Sequence, residues 1–104
     1  MIQFLKRLFG IKPSVNFGEL MAQGAMVIDV RTKGEYQSGH LKNGVNIPLD
    51  ALTSNVSKFD KSKLIITCCA SGMRSATAKR MLLSNGFTEV HNGGSWTSLR
   101  QFEA

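Results

Sequence analysis

Cys69 opens the segment Cys69-Ala70-Ser71-Gly72-Met73-Arg74-Ser75, which places a nucleophile, a run of small residues and a fixed cation close together. A cysteine thiolate is a strong, soft nucleophile. A free thiol has a pKa of about 8.5 and is only slightly ionised at pH 7. Three features are expected to lower that value here. Loop N–H groups can turn inward as an anion-binding nest. The helix that follows points its positive end at the sulfur. Arg74 adds a permanent positive charge nearby. The sulfur is therefore expected to be ionised and open to solvent. No histidine shares a local motif with Cys69, so the electrostatics of the loop must do the activation.

Ser71 and Gly72 suit tight curvature, and Gly72 is free to take a positive φ. Ala70 leaves the mouth of the loop uncharged at that point, and Met73 is polarizable. This combination suits an anionic, sulfur-bearing substrate. The plain alternative is an inert buried thiol at a strand end. The Ser-Gly-x-Arg-Ser that follows Cys69, and the helix start after it, favour chemistry. Cys68 lies within a strand pattern and reads as packing rather than as a resolving thiol. His40 and His91 read as loop hydrogen-bonders, and Trp96 as core.

The elements around this loop follow from pattern. Asn16 with Glu19 has capping-box spacing and starts a short helix over Phe17 to Gln23, stopped by Gly24. Met26-Val27-Ile28-Asp29-Val30 is a buried strand by length and Val/Ile content. Thr32 with Glu35 repeats the capping spacing ahead of a short helix that Gly39 ends. Gly44 to Pro48 is a short strand, and Leu49 to Phe59 a turn or two of helix. Lys63 to Cys68 is the second clear buried strand, leaving Cys69 one residue beyond it. Arg74 to Asn85 is the best helix, stopped by Asn85-Gly86. Thr88 to His91 is a last strand, Asn92-Gly93-Gly94 a turn, and Ser95 the cap of a final helix. Strands alternating with helices mean an α/β layer structure with a mainly parallel sheet. In such sheets the working site lies at the carboxyl ends of the strands. Cys69 falls there, with Asp29 and Arg31 expected near the same rim.

Bulk properties narrow the class. The 104 residues fit one domain with a core that needs no disulfide or metal. The net charge is +6, but the basic residues are scattered and no recognition helix or row of stacking aromatics goes with them. Nucleic-acid binding is therefore set aside. The two cysteines are adjacent, a poor geometry for a mutual disulfide, so a reducing, cytoplasmic setting is expected. With no C-x-x-C and two histidines, no metal site and no cofactor are expected. Residues 1–12 form a basic amphipathic extension ahead of a single domain at 13–104. Its apolar residues are interrupted by Lys6-Arg7, and it is too short to span a bilayer. The reading adopted is a short packing helix or a frayed end, with membrane-surface or partner contact as the alternative.

Several separated pieces resemble the single-domain rhodanese family of thiosulfate sulfurtransferases. Asp29-Val30-Arg31 with Glu35-Tyr36 is similar to the family's D-x-R…E-[FY] segment. Gly39-His40-Leu41 through Gly44-Val45-Asn46-Ile47-Pro48 is similar to its G-H-[IL]-x-G-[AS]-x-N-[IL]-P segment. Cys69 to Ser75 is similar to its C-x-S-G-x-R-S loop, and Gly86-Phe87 with Gly93-Gly94 and Trp96 to its ending. The resemblance implies a rhodanese-like α/β fold, with a five-stranded, mainly parallel sheet flanked by helices on both faces. It implies that Cys69 takes the outer sulfur of thiosulfate, becomes a persulfide, and passes the sulfur to cyanide, a small thiol or a protein thiol. Ala70, Ser71, Gly72, Met73, Arg74 and Ser75 would form the substrate-binding loop, and Asp29, Arg31 and Glu35 would support the scaffold. The chain departs from the family pattern at Ala70, where many active members carry arginine or lysine, and at Cys68, where an aromatic is usual. Trp96 also follows Ser95 directly, which compresses the ending.

Three other readings compete. A phosphatase or arsenate reductase of a related fold branch needs five residues between cysteine and arginine, and here four intervene. A non-catalytic binding module commonly lacks the cysteine, which is present. A persulfide carrier with weak thiosulfate activity is compatible with the neutral Ala70.

Overall fold

The computed structural model describes residues 15–103. The extension assigned to residues 1–12, and the domain boundary drawn after it, lie outside the described residues. The first helix, α1 (Phe17–Ala22), is capped by the Asn16 side chain, which accepts the Glu19 N–H. Strand β1 (Met26–Asp29) follows. Helix α2 (Lys33–Gln37) begins with a complete capping box between Thr32 and Glu35. Strand β2 (Val45–Asn46) leads into a 3-10 turn at Leu49–Ala51 and helix α3 (Leu52–Val56). Strand β3 (Leu64–Cys69) feeds helix α4 (Met73–Ser84). Strand β4 (Glu89–Ser95) feeds helix α5 (Trp96–Leu99) and a last 3-10 turn at Arg100–Phe102.

The four strands run parallel in the order β2-β1-β3-β4. Helices cover both faces, as expected, but the sheet among the described residues has four strands rather than five. After the last of these four strands Ser95 caps a helix by accepting the Thr97 N–H. Three boundaries around the loop and β4 also shift. Strand β3 runs through Cys69 instead of ending at Cys68. Helix α4 starts at Met73. The expected turn at Asn92-Gly93-Gly94 is instead the continuation of β4. The register of β3 on β4 slips by one residue between Thr67 and Cys69, so Gly93 and Gly94 form a bulge opposite the end of β3.

Period-2 alternation sorts the central strands onto two cores. Ile28, Val30, Ile65 and Cys69 face α3 and α4, packing with Leu52, Val56, Ala78 and Leu82. Val27, Ile66 and Cys68 face the other way, toward Leu99 and Trp96 of α5 and the apolar residues of α1. Ile28, Ile65 and Ile66 are fully buried. Each such side chain contributes about 1.5–3 kcal/mol from burial alone. Among the described residues no helix is long and apolar enough to cross a membrane.

Gly93 is required by this packing. A Cβ there would lie 2.8 Å from Ile66 Cγ2, 2.9 Å from Leu99 Cδ1 and 3.0 Å from the Thr67 carbonyl. Gly34, inside α2, has nothing within 4 Å of such a Cβ. Gly93→Ala is therefore expected to cost about 1–3 kcal/mol. Gly34→Ala should gain roughly 0.5–1 kcal/mol. Urea midpoints of the two variants, measured side by side, check both signs.

Candidate active site

Strand β3 carries Cys69 to the carboxyl edge of the sheet, and four residues later the chain is already helical. Gly72 makes this reversal feasible at φ +102, a conformation that costs a side-chain-bearing residue dearly. The turn aims main-chain donors at the sulfur. The Gly72 N–H donates to Cys69 Sγ at 3.0 Å and the Ser75 N–H at 3.4 Å. The Ser75 hydroxyl lies 3.5 Å from the same sulfur. Burial pushes the Cys69 thiol up. The Ser75 hydroxyl and the amides of Ser75, Gly72 and Ser71 pull it down further, so its pKa ends below the ordinary value.

The neighbouring cysteine behaves in the opposite way. Cys68 points to the other face, fully buried, and no loop amide reaches it. Burial, with the nearby Asp29 charge, pushes its thiol up to about 12. Two chemically identical side chains thus differ because one peptide unit turns them to opposite faces.

The exposure of the sulfur differs from expectation. Cys69 is 1% exposed, not open to solvent. Strand β3 extends through it, and the loop closes over it. Ala70, Ser71 and Met73 form the outer surface of that loop, and Met73 is 79% exposed. The sulfur thus lies behind the outer residues of this loop. A depression of about 290 Å³ lined by Val30, Thr32, Leu49, Asp50 and Arg74 lies beside it, and another of about 490 Å³ shares Pro48 with it. A third hollow, lined by Met21, Val27, Leu41 and Phe102, belongs to the α1 face with Cys68 and is remote from this chemistry.

Arg74 reaches back across the loop to α2. Its guanidinium forks onto Glu35, at 2.7 Å to Oε1 and 2.9 Å to Oε2. Glu35 Oε1 also receives the Thr32 N–H and hydroxyl, at 3.0 and 3.1 Å. The Arg74 guanidinium, followed by these Thr32 bonds, holds the Glu35 carboxyl at about 2 instead of its ordinary 4.5. Arg74 is thereby charge-paired and fixed in place, not a free cation beside the sulfur.

Asp29 and Arg31 form a separate buried pair. Arg31 Nε and Nη2 donate to the Asp29 carboxylate at 2.8 to 3.0 Å, while its Nη1 and Nη2 donate to the carbonyls of Glu35 and Gly39. The Arg31 guanidinium stacks on Trp96 at 4.5 Å, with Arg100 at 4.5 Å from the same ring. This pair lies on the Cys68 face. The fold does not bring it to the sulfur, despite the shared strand end. His40 Nδ1 lies 2.8 Å from the Leu41 carbonyl, and its ring stacks on Tyr36.

Two residues escaped the sequence reading. Asn92 accepts the Ser75 hydroxyl at 2.6 Å and the Gly94 N–H at 2.9 Å, and donates to the Gly72 carbonyl at 3.3 Å. Thr67 donates its hydroxyl to the Ser75 carbonyl at 2.8 Å. Thr67 was legible in principle, because it shares Cys69's parity along the strand. Asn92 was not, since its position depends on how β4 pairs with β3. Among the described residues there is no group of three or more His, Cys, Asp or Glu side chains that could hold a metal ion.

The chain belongs to the rhodanese-like domain family, whose model matches residues 15–99. It is 30% identical over 73 residues to the thiosulfate sulfurtransferase GlpE of Pseudomonas savastanoi pv. phaseolicola, covering 70% of this chain and 69% of that protein. It is 35% identical over 69 residues to the thiosulfate sulfurtransferase PspE of Escherichia coli, covering 64% and 66%. A solved E. coli rhodanese with anions superposes with a TM-score of 0.67 at 32% identity, covering 71% of this chain and 89% of that one. Other relatives are larger. The chain spans 54% of the uncharacterized YqhL of Bacillus subtilis, and 21% of a tRNA uridine(34) hydroxylase from Hamiltonella defensa to which it is 32% identical. Family membership therefore includes named sulfurtransferases and proteins with other names.

The Glu35–Arg74 pair makes a pH prediction. The folded pKa of Glu35 lies below its unfolded value, so its contribution to stability is complete above about pH 4.5 and is lost as pH falls toward about 2. Glu35→Gln keeps an oxygen for the Thr32 cap and removes the charge. Its urea midpoint should fall less steeply than that of the parent between pH 5 and about pH 2.5. Parallel slopes would mean that the pair contributes nothing to acid sensitivity.

Proposed function

We propose that the protein is a sulfurtransferase that carries sulfane sulfur as a Cys69 persulfide. The observation that carries this reading is the pair of main-chain donors, Gly72 N–H at 3.0 Å and Ser75 N–H at 3.4 Å, converging on a sulfur whose pKa lies below the ordinary value. A hydrogen bond to a charged group is worth about 1.5–3 kcal/mol. Two of them offset a substantial part of the cost of keeping a buried sulfur ionised.

In the first half-reaction the Cys69 thiolate attacks the outer sulfur of thiosulfate. A new S–S bond forms to Sγ, the S–S bond of thiosulfate breaks, and sulfite leaves with its electron pair. The persulfide then carries the negative charge into the ring of loop amides, a fixed set of donors of the oxyanion-hole kind. In the second half-reaction cyanide or a thiolate attacks that outer sulfur. The product is thiocyanate or a new persulfide, and the Cys69 thiolate is regenerated. In this reading Ala70 to Ser75 form the substrate loop, Arg74 with Glu35 holds the loop against α2, and Asp29 with Arg31 braces the end of β1. Any persulfide donor that fits the ring could replace thiosulfate, which is the carrier form of the same chemistry. Four residues between Cys69 and Arg74 leave a smaller ring than phosphate transfer needs.

Intact-protein mass spectrometry is the test. Incubation with thiosulfate should add one sulfur atom, and cyanide should remove it. Cys69→Ser should abolish loading, whereas Cys68→Ser should retain it. Loading that survives Cys69→Ser, or turnover of an aryl phosphate without any loading, would overturn the proposal.

A further inference from the structure

The Ser75 hydroxyl has one proton, for which Asn92 Oδ1 at 2.6 Å and the Gly72 carbonyl at 3.1 Å are acceptors. Cys69 Sγ, whose S–H donates to Ser75 Oγ at 3.5 Å, becomes a third acceptor once it ionises. Ser75 is fully buried, so water cannot relieve the shortage. The orientation of Asn92 is fixed by its other contacts. Turning its amide over would set Nδ2 against the Gly94 N–H, now bonded at 2.9 Å, and Oδ1 against the Gly72 carbonyl, now bonded at 3.3 Å. The group facing Ser75 is therefore a carbonyl, and it offers the shortest of the three bonds.

While Asn92 holds that proton, the Ser75 oxygen presents lone pairs to the sulfur. That arrangement suits a neutral thiol, whose S–H can donate to it. A thiolate draws on the downward pull of the Ser75 hydroxyl only once that hydroxyl rotates away from Asn92 and donates to the sulfur. We infer that Asn92 is a positioning residue that competes with the Cys69 sulfur for the Ser75 proton and so sets how readily Cys69 ionises. The inference rests on the assignment of Cys69 made above, but it concerns ionisation of the thiol and not sulfur transfer.

The other charged and titratable groups around the site are the same in every variant below. From α4 there is Arg74, paired with Glu35 of α2. From β1 there are Asp29 and Arg31, paired with each other. From β3 there is Cys68 on the opposite face, and from β4 His91, whose ring lies 3.9 Å from Glu89.

The test is the pH midpoint of Cys69 alkylation by iodoacetamide, read on the full chain by peptide mass spectrometry, which requires no sulfur donor. Asn92→Ala should lower the midpoint by about one pH unit, the scale of a hydrogen bond released to a charged group. In a Ser75→Ala background the same substitution should leave it unchanged. The isosteric Asn92→Asp, which keeps an acceptor oxygen and adds charge, should raise it. A purely structural role would loosen the amide ring and raise the midpoint in both Asn92 variants, with or without Ser75. A raised or unmoved midpoint in Asn92→Ala, or a shift that persists without Ser75, would overturn the inference. Failure of the parent protein to take up sulfur, with these midpoints as expected, would instead count against the sulfurtransferase reading.

Discussion

The donation of loop amides to a buried sulfur is the interaction on which the site depends. A cysteine only 1% exposed belongs, by burial alone, to the same class as Cys68, inert and neutral. What separates them is the Gly72 and Ser75 N–H groups, and these point inward only because Gly72 takes φ +102. Gly72 in turn sits against the β4 bulge. A Cβ on it would lie 3.3 Å from Gly94 Cα, and Gly94 itself has φ +76. The loop and the bulge therefore have to be small at the same place, and neither can be altered without displacing the other.

The sheet supplies the direction, and the helix supplies the donors. Along β3 the alternation of side chains sends Ile65, Thr67 and Cys69 toward α4, and Ile66 and Cys68 away from it. Thr67 then ties β3 to the first turn of α4 through the Ser75 carbonyl, two residues before the sulfur. The order strand, cysteine, glycine, helix is thus a mechanical arrangement. The strand fixes where the sulfur is, and the helix start fixes where its hydrogen-bond donors are.

Much of this was legible in the residues. Buried runs at 26–30 and 63–68, the Thr32–Glu35 capping box and the small-residue loop after Cys69 are all local signals, and local signals survive folding. The burial of Cys68 was legible too, because it lies inside the apolar run of β3. What the sequence could not convey is pairing across the fold. Glu35 meets Arg74 across 39 positions, and Asn92 meets Ser75 across 17, through a register that includes a one-residue slip. Asn92-Gly93-Gly94 has the composition of a turn, yet tertiary packing keeps it in the sheet, because Gly93 alone fits between Ile66 and Leu99. The fifth strand came from family likeness and not from any run in the chain, and it is absent from the described residues.

The charge pattern bears on what an anion would meet at the loop. The chain carries a net charge of +6, which suggests attraction by loose cations. At the site the one cation of the loop is already forked onto Glu35, and Ala70, Ser71, Gly72 and Met73 carry no charge. An approaching anion therefore meets main-chain dipoles and not a net positive side chain. Dipoles of this kind act at contact distance and in fixed directions, whereas a free lysine or arginine would act through the Debye length of about 10 Å and would tolerate many shapes. In the proposed function, recognition therefore comes from fit within the ring of amides, and the closed loop over Cys69 sets the same requirement sterically. Charge pairing outside the ring and donor geometry inside it are consequently two parts of one arrangement, in which amides face the sulfur while residues 70–73 of the outer loop carry no charge.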